Sequence, residues 1–168
     1  MIGTARCWDA MRIRWTMYTL DASVVGRDFD PGDPEYAACH ELIAQLDQQA
    51  IPVIVPRLLL AEVAGLVRRL TRDPIRARLA VDAWRTFQHV QIVPLDDALI
   101  DTAAEIAADY ALRGADATYV AVARRHNCTL VSLDREQRDR SAAIVTTRTP
   151  AETLSELRPP PASDVETG

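Results

Sequence analysis

The sequence predicts an α/β protein with a mostly parallel sheet covered by helices on both faces, and three observations carry the prediction. Short β-type runs alternate with longer helical patterns along the chain, and such alternation marks βαβ units, whose crossovers lay helices over a parallel sheet. Alanine is strongly enriched, which favours helix between the strands. The 168 residues are 48% hydrophobic and 26% charged, values that suit one domain with a substantial core.

Taken in order, residues 16–20 read as the first strand. A polar loop containing Asp30-Pro31-Gly32-Asp33-Pro34 then leads into a helix over about 34–49, with Asp33 as N-cap and Pro34 in the first turn. Residues 52–55 form a second strand, 57–70 a helix, and Asp73-Pro74 caps another helix running to about 87. A third strand covers 90–95, followed by a helix from near Asp96 to Arg113-Gly114 and one over about 115–126. Residues 128–132 and 143–147 are the last two strands, and 150–157 a short final helix. Residues 1–16 read as an N-terminal extension without the continuous apolar run of a signal peptide, and the Pro-rich segment 158–168 as a disordered tail. No stretch is long and apolar enough to span a bilayer, and three widely spaced cysteines without a disulfide framework suit a reducing compartment, so the expected location is the cytoplasm.

Composition removes several chemistries. All 19 basic residues are arginine and lysine is absent, which excludes a phosphate loop ending in Lys, a Schiff-base enzyme and a phosphate-accepting receiver domain. Cys7, Cys39 and Cys128 are odd in number and widely spaced, and His40, His89 and His126 lack the spacing of a zinc site. The net charge of −5 argues against a passive nucleic-acid coat. Charge is unevenly spread, however, and residues 57–85 carry Arg68, Arg69, Arg72, Arg76 and Arg78. Guanidinium forks match phosphate oxygens, although ion pairs on a solvated helix pair would explain the same residues.

Four carboxylates remain as candidates for chemistry. Asp21 follows the first strand, Glu62 interrupts an apolar helical run, Asp116 sits in the first turn of its helix, and Asp134 follows the fourth strand. Each has an ordinary explanation: an Asx-turn for Asp21, a solvent-facing position for Glu62, a favourable helix dipole for Asp116 and a capping box with Gln137 for Asp134. Together they can converge on the crevice beyond the carboxyl ends of the strands, where open α/β sheets bind ligands. Unit charges 4 Å apart repel by about 4 kcal/mol at an effective dielectric of 20, so the cluster calls for a cation. Oxygen-only donors suit Mg²⁺ or Mn²⁺, and such ions support phosphodiester hydrolysis by activated water.

The chain from Met17 to about Leu157 resembles the PIN-domain family, and particularly the VapC-type toxins of bacterial toxin–antitoxin pairs. The resemblance rests on Tyr-Thr-Leu-Asp21-Ala-Ser23, Ala-Glu62-Val, Leu-Arg-Gly-Ala-Asp116-Ala-Thr-Tyr-Val-Ala-Val-Ala and Leu-Val-Ser132-Leu-Asp134-Arg. It implies a three-layer α/β/α sandwich with a five-stranded parallel sheet and a Mg²⁺- or Mn²⁺-dependent ribonuclease site. Asp21, Glu62, Asp116 and Asp134 match its acidic positions, and Ser132 its small hydroxyl residue. Asp21 and Asp116 are then the foremost direct metal ligands, Asp134 the next, with Glu62 orienting water or completing the shell. Arg68, Arg69 and Arg72 are the RNA-phosphate candidates. The resemblance also implies a homodimer and a small antitoxin partner. One departure stands out: the aromatic residue often found shortly after the last acid is replaced by Glu136-Gln137-Arg138.

Two other readings stay open. A PIN-like RNA-binding or regulatory module would bind RNA without metal-dependent turnover. A phosphatase with Asp21 as nucleophile is weaker, because that chemistry usually has a second Asp two residues on, where this chain has Ser23, and often a lysine.

Overall fold

The computed structural model describes residues 16–157, and both the N-terminal extension up to residue 15 and the Pro-rich tail lie outside the described residues. Five parallel strands form one sheet: β1 (Tyr18–Leu20), β2 (Val53–Pro56), β3 (Val90–Val93), β4 (Thr129–Val131) and β5 (Thr147–Arg148). Their spatial order is β3-β2-β1-β4-β5. The chain therefore moves outward from β1 through β2 to β3, then crosses back to place β4 on the other side of β1. Right-handed crossovers running in opposite directions put their helices on opposite faces. Helices α1 (Ala22–Arg27), α2 (Tyr36–Gln48), α3 (Leu58–Thr71) and α4 (Pro74–Thr86) belong to the outward connections, and α5 (Asp97–Tyr110), α6 (Gly114–His126) and α7 (Arg135–Ser141) to the return. The last helix, α8 (Pro150–Leu157), packs against α2. The three-layer arrangement and the five parallel strands are those expected from the sequence.

The strands are short and buried on both sides, as a covered parallel sheet requires: Tyr18, Leu20, Val53, Val55, Leu130 and Val131 are almost wholly excluded from solvent. Helix α6 is buried at every position from Ala117 to Ala123 and packs across β2, β1 and β4. Four alanines or valines in succession after Tyr119 leave this helix thin enough to lie close on the sheet.

Several local expectations need correction. Asp33 does not cap α2: its carboxylate accepts the Glu35 amide at 2.8 Å and pairs with Arg27 at 2.8 Å, closing a turn, so the helix starts two residues later than expected. The fifth strand is Thr147–Arg148 rather than 143–147, because Ile144 and Val145 both donate to the Ser141 carbonyl in a turn that packs apolar side chains on the core. Helix α1 occupies ground expected to be loop; Val24 and Val25 are poor helix formers, but both are fully buried and Asp21 caps them. The sequence of α7, Arg-Glu-Gln-Arg-Asp-Arg-Ser, has no hydrophobic period to reveal it. The Asp73 cap of α4 is present, its Oδ1 accepting the amides of Ile75 and Arg76.

Leu130 lies in the strand beside β1 and is fully buried. Leu130→Ala is expected to lower unfolding free energy by about 2–5 kcal/mol, measured as a shift in the midpoint of chemical denaturation.

Candidate active site

The order of strands reverses between β1 and β4, and the candidate site is built at the carboxyl ends of these two strands. Asp21 immediately follows β1; its amide donates to the Val131 carbonyl at 2.9 Å, continuing the β1–β4 ladder by one residue. Its carboxylate is buried, with 6% exposure. One oxygen accepts the Ser23 amide at 2.8 Å and so caps α1, and the other accepts the Gln137 side-chain amide at 3.2 Å. From the β4 side, the Ser132 hydroxyl accepts the Asp134 amide at 3.0 Å and lies 3.4 Å from the Ser23 hydroxyl. Ser23 Oγ in turn accepts the Leu133 amide at 3.1 Å. Ser132 thus joins the two strand ends and is itself fully buried.

Asp134 caps α7, accepting the Gln137 amide at 3.0 Å, but the reciprocal half of the capping box expected from the sequence does not form: the Asp134 amide donates to Ser132 Oγ and the Gln137 side chain turns to Asp21, and Asp134 stays within electrostatic reach of Asp116. Asp116 enters from the first turn of α6 and is half-buried. Glu62 reaches the same region from α3, where it is half-buried rather than solvent-facing and accepts a short hydrogen bond from the Tyr119 hydroxyl. Tyr119 follows Asp116 by three residues, one helical turn, and is therefore on the same side of α6.

Two of the acids are held above the usual carboxylate range. For Glu62 the largest cause is burial, opposed by the Tyr119 hydrogen bond and reinforced by the charges of Asp21 and Asp116. For Asp116 burial again leads, followed by Asp21 and Asp134, with Arg113 pulling the other way. Burial also pushes up the Tyr119 hydroxyl, with help from Glu62, so it remains a proton donor at neutral pH. These mutual effects bring all four sequence-derived acids into one electrostatic unit.

The arginines divide. Arg69 joins Ala22, Ser23, Glu62 and Gly65 in lining a cleft of about 430 Å³ beside the acids. Arg68 lies in a separate groove of about 610 Å³ between α3 and α4, together with Arg78 and Arg85. Gly65 borders both hollows. Arg72 closes α3 in a left-handed conformation, φ 57°, and lines neither. A hollow of about 480 Å³ at the opposite ends of β4 and β5 contains none of the acids.

Two residues of the site were not assigned from sequence. Tyr119 lay within the motif around Asp116, and its helical spacing was a usable signal. In the sequence Gln137 reads only as a partner in the cap, and nothing there says that its amide crosses to Asp21.

Among the described residues, no three His, Cys, Asp or Glu side chains form a ready-made coordination shell. The donor set nevertheless fits a hard cation: only oxygens are offered, and each carboxylate oxygen that accepts one amide keeps a second lone pair. Mg²⁺ retains several waters when bound by one or two carboxylates, so a complete protein shell is not needed. Asp21 and Asp116, with Asp134 beside them, are the residues that would hold it.

Comparison with known proteins agrees with this architecture. Residues 18–143 match the PIN domain family. No curated protein matches the chain in sequence. Among solved structures it is similar to VapC20 of Mycobacterium tuberculosis, a sarcin–ricin loop cleaving toxin, at 25% identity and a TM-score of 0.61, covering 75% of this chain and 94% of that one. It is also similar to a toxin–antitoxin complex from Klebsiella pneumoniae, at 17% identity and a TM-score of 0.57 over 79% of this chain and 97% of the other. DNA-bound VapBC from Salmonella typhimurium shares 11% identity, with a TM-score of 0.62 over 80% and 98%. The last two likenesses are of fold alone.

The raised pKa of Asp116 gives a stability test in metal-free buffer. A carboxyl that binds its proton more tightly when folded weakens the fold once pH exceeds its folded pKa, and the penalty disappears as pH falls to the ordinary carboxylate range. Asp116→Asn is therefore expected to raise the melting temperature at pH 7–8, with the gain shrinking toward pH 4, followed by thermal denaturation across pH in the presence of a chelator.

Proposed function

Because the chain belongs to the PIN-domain family, we propose that it is a divalent-metal-dependent endoribonuclease that hydrolyses RNA phosphodiester bonds, acting as the toxin of a type II toxin–antitoxin pair. The observation that carries this reading is the convergence of Asp21, Glu62, Asp116 and Asp134 on the crevice at the β1–β4 switch, where burial and mutual charge raise the pKa of Glu62 and Asp116. Mg²⁺ or Mn²⁺ would offset that repulsion, polarise the scissile phosphate and lower the pKa of a bound water.

The remaining chemistry falls to the chain's own groups. Asp21 is oriented by the Ser23 amide and the Gln137 side chain, so its carboxylate is set before any ligand arrives. Asp134 is fixed by its cap and Asp116 by the first turn of a helix buried from Ala117 to Ala123. Glu62, its pKa raised chiefly by burial and one of its oxygens bonded by Tyr119, is the group suited to orient water. Arg69 is the guanidinium in the same cleft as Glu62 and would meet the phosphate beside the scissile bond. Beyond Gly65, Arg68, Arg78 and Arg85 offer further phosphate contacts in the adjoining groove. No histidine or lysine is needed.

RNA is proposed as substrate on the likeness to VapC20. The proposed partners are a second copy of the chain and a small antitoxin. Exposed Leu70, Ile75 and Leu79 on the α3–α4 hairpin are apolar surface that association would cover. We take 17–157 as the nuclease unit and the cytoplasm as its place of action; among the described residues no helix is long and apolar enough to cross a membrane.

Purified protein is expected to cleave RNA with Mg²⁺ or Mn²⁺ and not with a chelator. Asp21→Asn and Asp116→Asn should each reduce cleavage by at least about a hundredfold while circular dichroism stays unchanged. Binding of RNA without metal-dependent cleavage would favour a regulatory RNA-binding module instead. Arg69→Ala should raise KM more than it lowers kcat and reduce the slope of log affinity against log salt by about 0.7 on single-stranded RNA, read in a salt titration of binding.

A further inference from the structure

Gln137 is 1% exposed on a helix that is otherwise polar and mostly solvated. It is hydrogen-bonded to three of the four acidic residues. Its backbone amide donates to the Asp134 carboxylate at 3.0 Å, and its side-chain Nε2 donates to Asp21 Oδ1 at 3.2 Å and to the Asp116 backbone carbonyl at 3.4 Å. These acids come from three separate segments: the end of β1, the first turn of α6 and the N-terminus of α7. One side chain thus ties together the three segments that carry the proposed cation ligands.

The geometry assigns Gln137 the role of a positioning residue, whose amide holds Asp21 and the backbone of Asp116 in the arrangement that receives the cation. This inference rests on the metal-dependent reading above.

Two features distinguish this role from simple packing. Gln137 Oε1 is buried without a hydrogen-bond partner, so the side chain does not satisfy itself in this environment, and an apolar residue of the same shape would avoid that penalty. The position also lies in the segment where the family resemblance leads one to expect an aromatic side chain, which would pack without donating a hydrogen bond. What glutamine adds is a donor directed at a carboxylate. Asp21 Oδ1 accepts that bond and keeps a lone pair free. Partners of this kind, bound to a ligand rather than to the ion, typically change metal affinity by 10–100-fold.

Gln137→Met tests the idea, since methionine keeps the length and volume while removing both the donor and the unpaired oxygen. Mn²⁺ affinity of the full chain is measured by isothermal titration calorimetry, alongside the metal-free melting temperature and the Mn²⁺ dependence of RNA cleavage. The expected result is a metal-free melting temperature equal to or above wild type, a Kd for Mn²⁺ raised about 10–100-fold, and cleavage largely recovered at saturating Mn²⁺. A purely structural role predicts the opposite pattern, a lower melting temperature with unchanged Mn²⁺ affinity, and that result overturns the proposal. Gln137→Leu gives the same comparison if methionine does not pack. Failure of the wild-type chain to bind Mn²⁺ overturns the metal-dependent reading and this inference with it; wild-type binding that Gln137→Met leaves unaltered overturns this inference alone.

Discussion

The pairing of β1 with β4 is the constraint on which the molecule depends. Tyr18, Thr19 and Leu20 stand opposite Thr129, Leu130 and Val131, and the Asp21 amide extends the ladder onto the Val131 carbonyl. Because side chains alternate between faces, a slip of one residue would turn each strand inside out. With the register held, the first residue after β1 is a buried carboxylate and the first after β4 a buried hydroxyl, and Ser23 bridges them. The reversal of strand order leaves this junction at the mouth of the crevice. The other acids need only approach a point that the sheet has already set.

Approach has an electrostatic cost, and the fold offsets it with backbone dipoles. Asp21, Asp116 and Asp134 each stand at or within the first turn of a helix, where aligned peptide units favour negative charge. Asp21 and Asp134 accept amide protons directly. Glu62 has no such position and relies on Tyr119. The result is a site in which the acids differ: two are anchored by helix caps, whereas Glu62 and Asp116 are raised by their surroundings. Division of labour among similar side chains arises from these environments.

Much of this was legible in the sequence, and the exceptions have physical causes. Strand and helix alternation exposed the parallel sheet, and the spacing of the acids against those elements placed Asp21 and Asp134 after strands, Asp116 at a helix start and Glu62 within a helix. Of the two short helices, α1 escaped because it carries two β-branched residues whose helical state is enforced by burial, whereas α7 was signalled only by the Asp134 cap, since it has no apolar stripe. The cap of α2 was misplaced because Asp33 had a competing use, an ion pair with Arg27 that no local pattern encodes. Asp134 is the instructive case among the acids, since its capping role and its place beside Asp116 coexist. The tie from Gln137 to Asp21 could not be read, for it spans more than a hundred residues of chain, from 137 to 21.

The burial of α6 also governs how such a protein can change over time. With Ala117 to Ala123 wholly enclosed, nearly any enlargement of these side chains would lift the helix from the sheet and move Asp116 and Tyr119 with it. The chemistry is therefore locked to a surface that tolerates little drift. Helices α3 and α4 carry their arginines in the open, where exchanges disturb no core. Under the proposed nuclease function, a lineage built on this plan would diversify its choice of nucleic acid along that outer hairpin while its means of cutting stayed fixed.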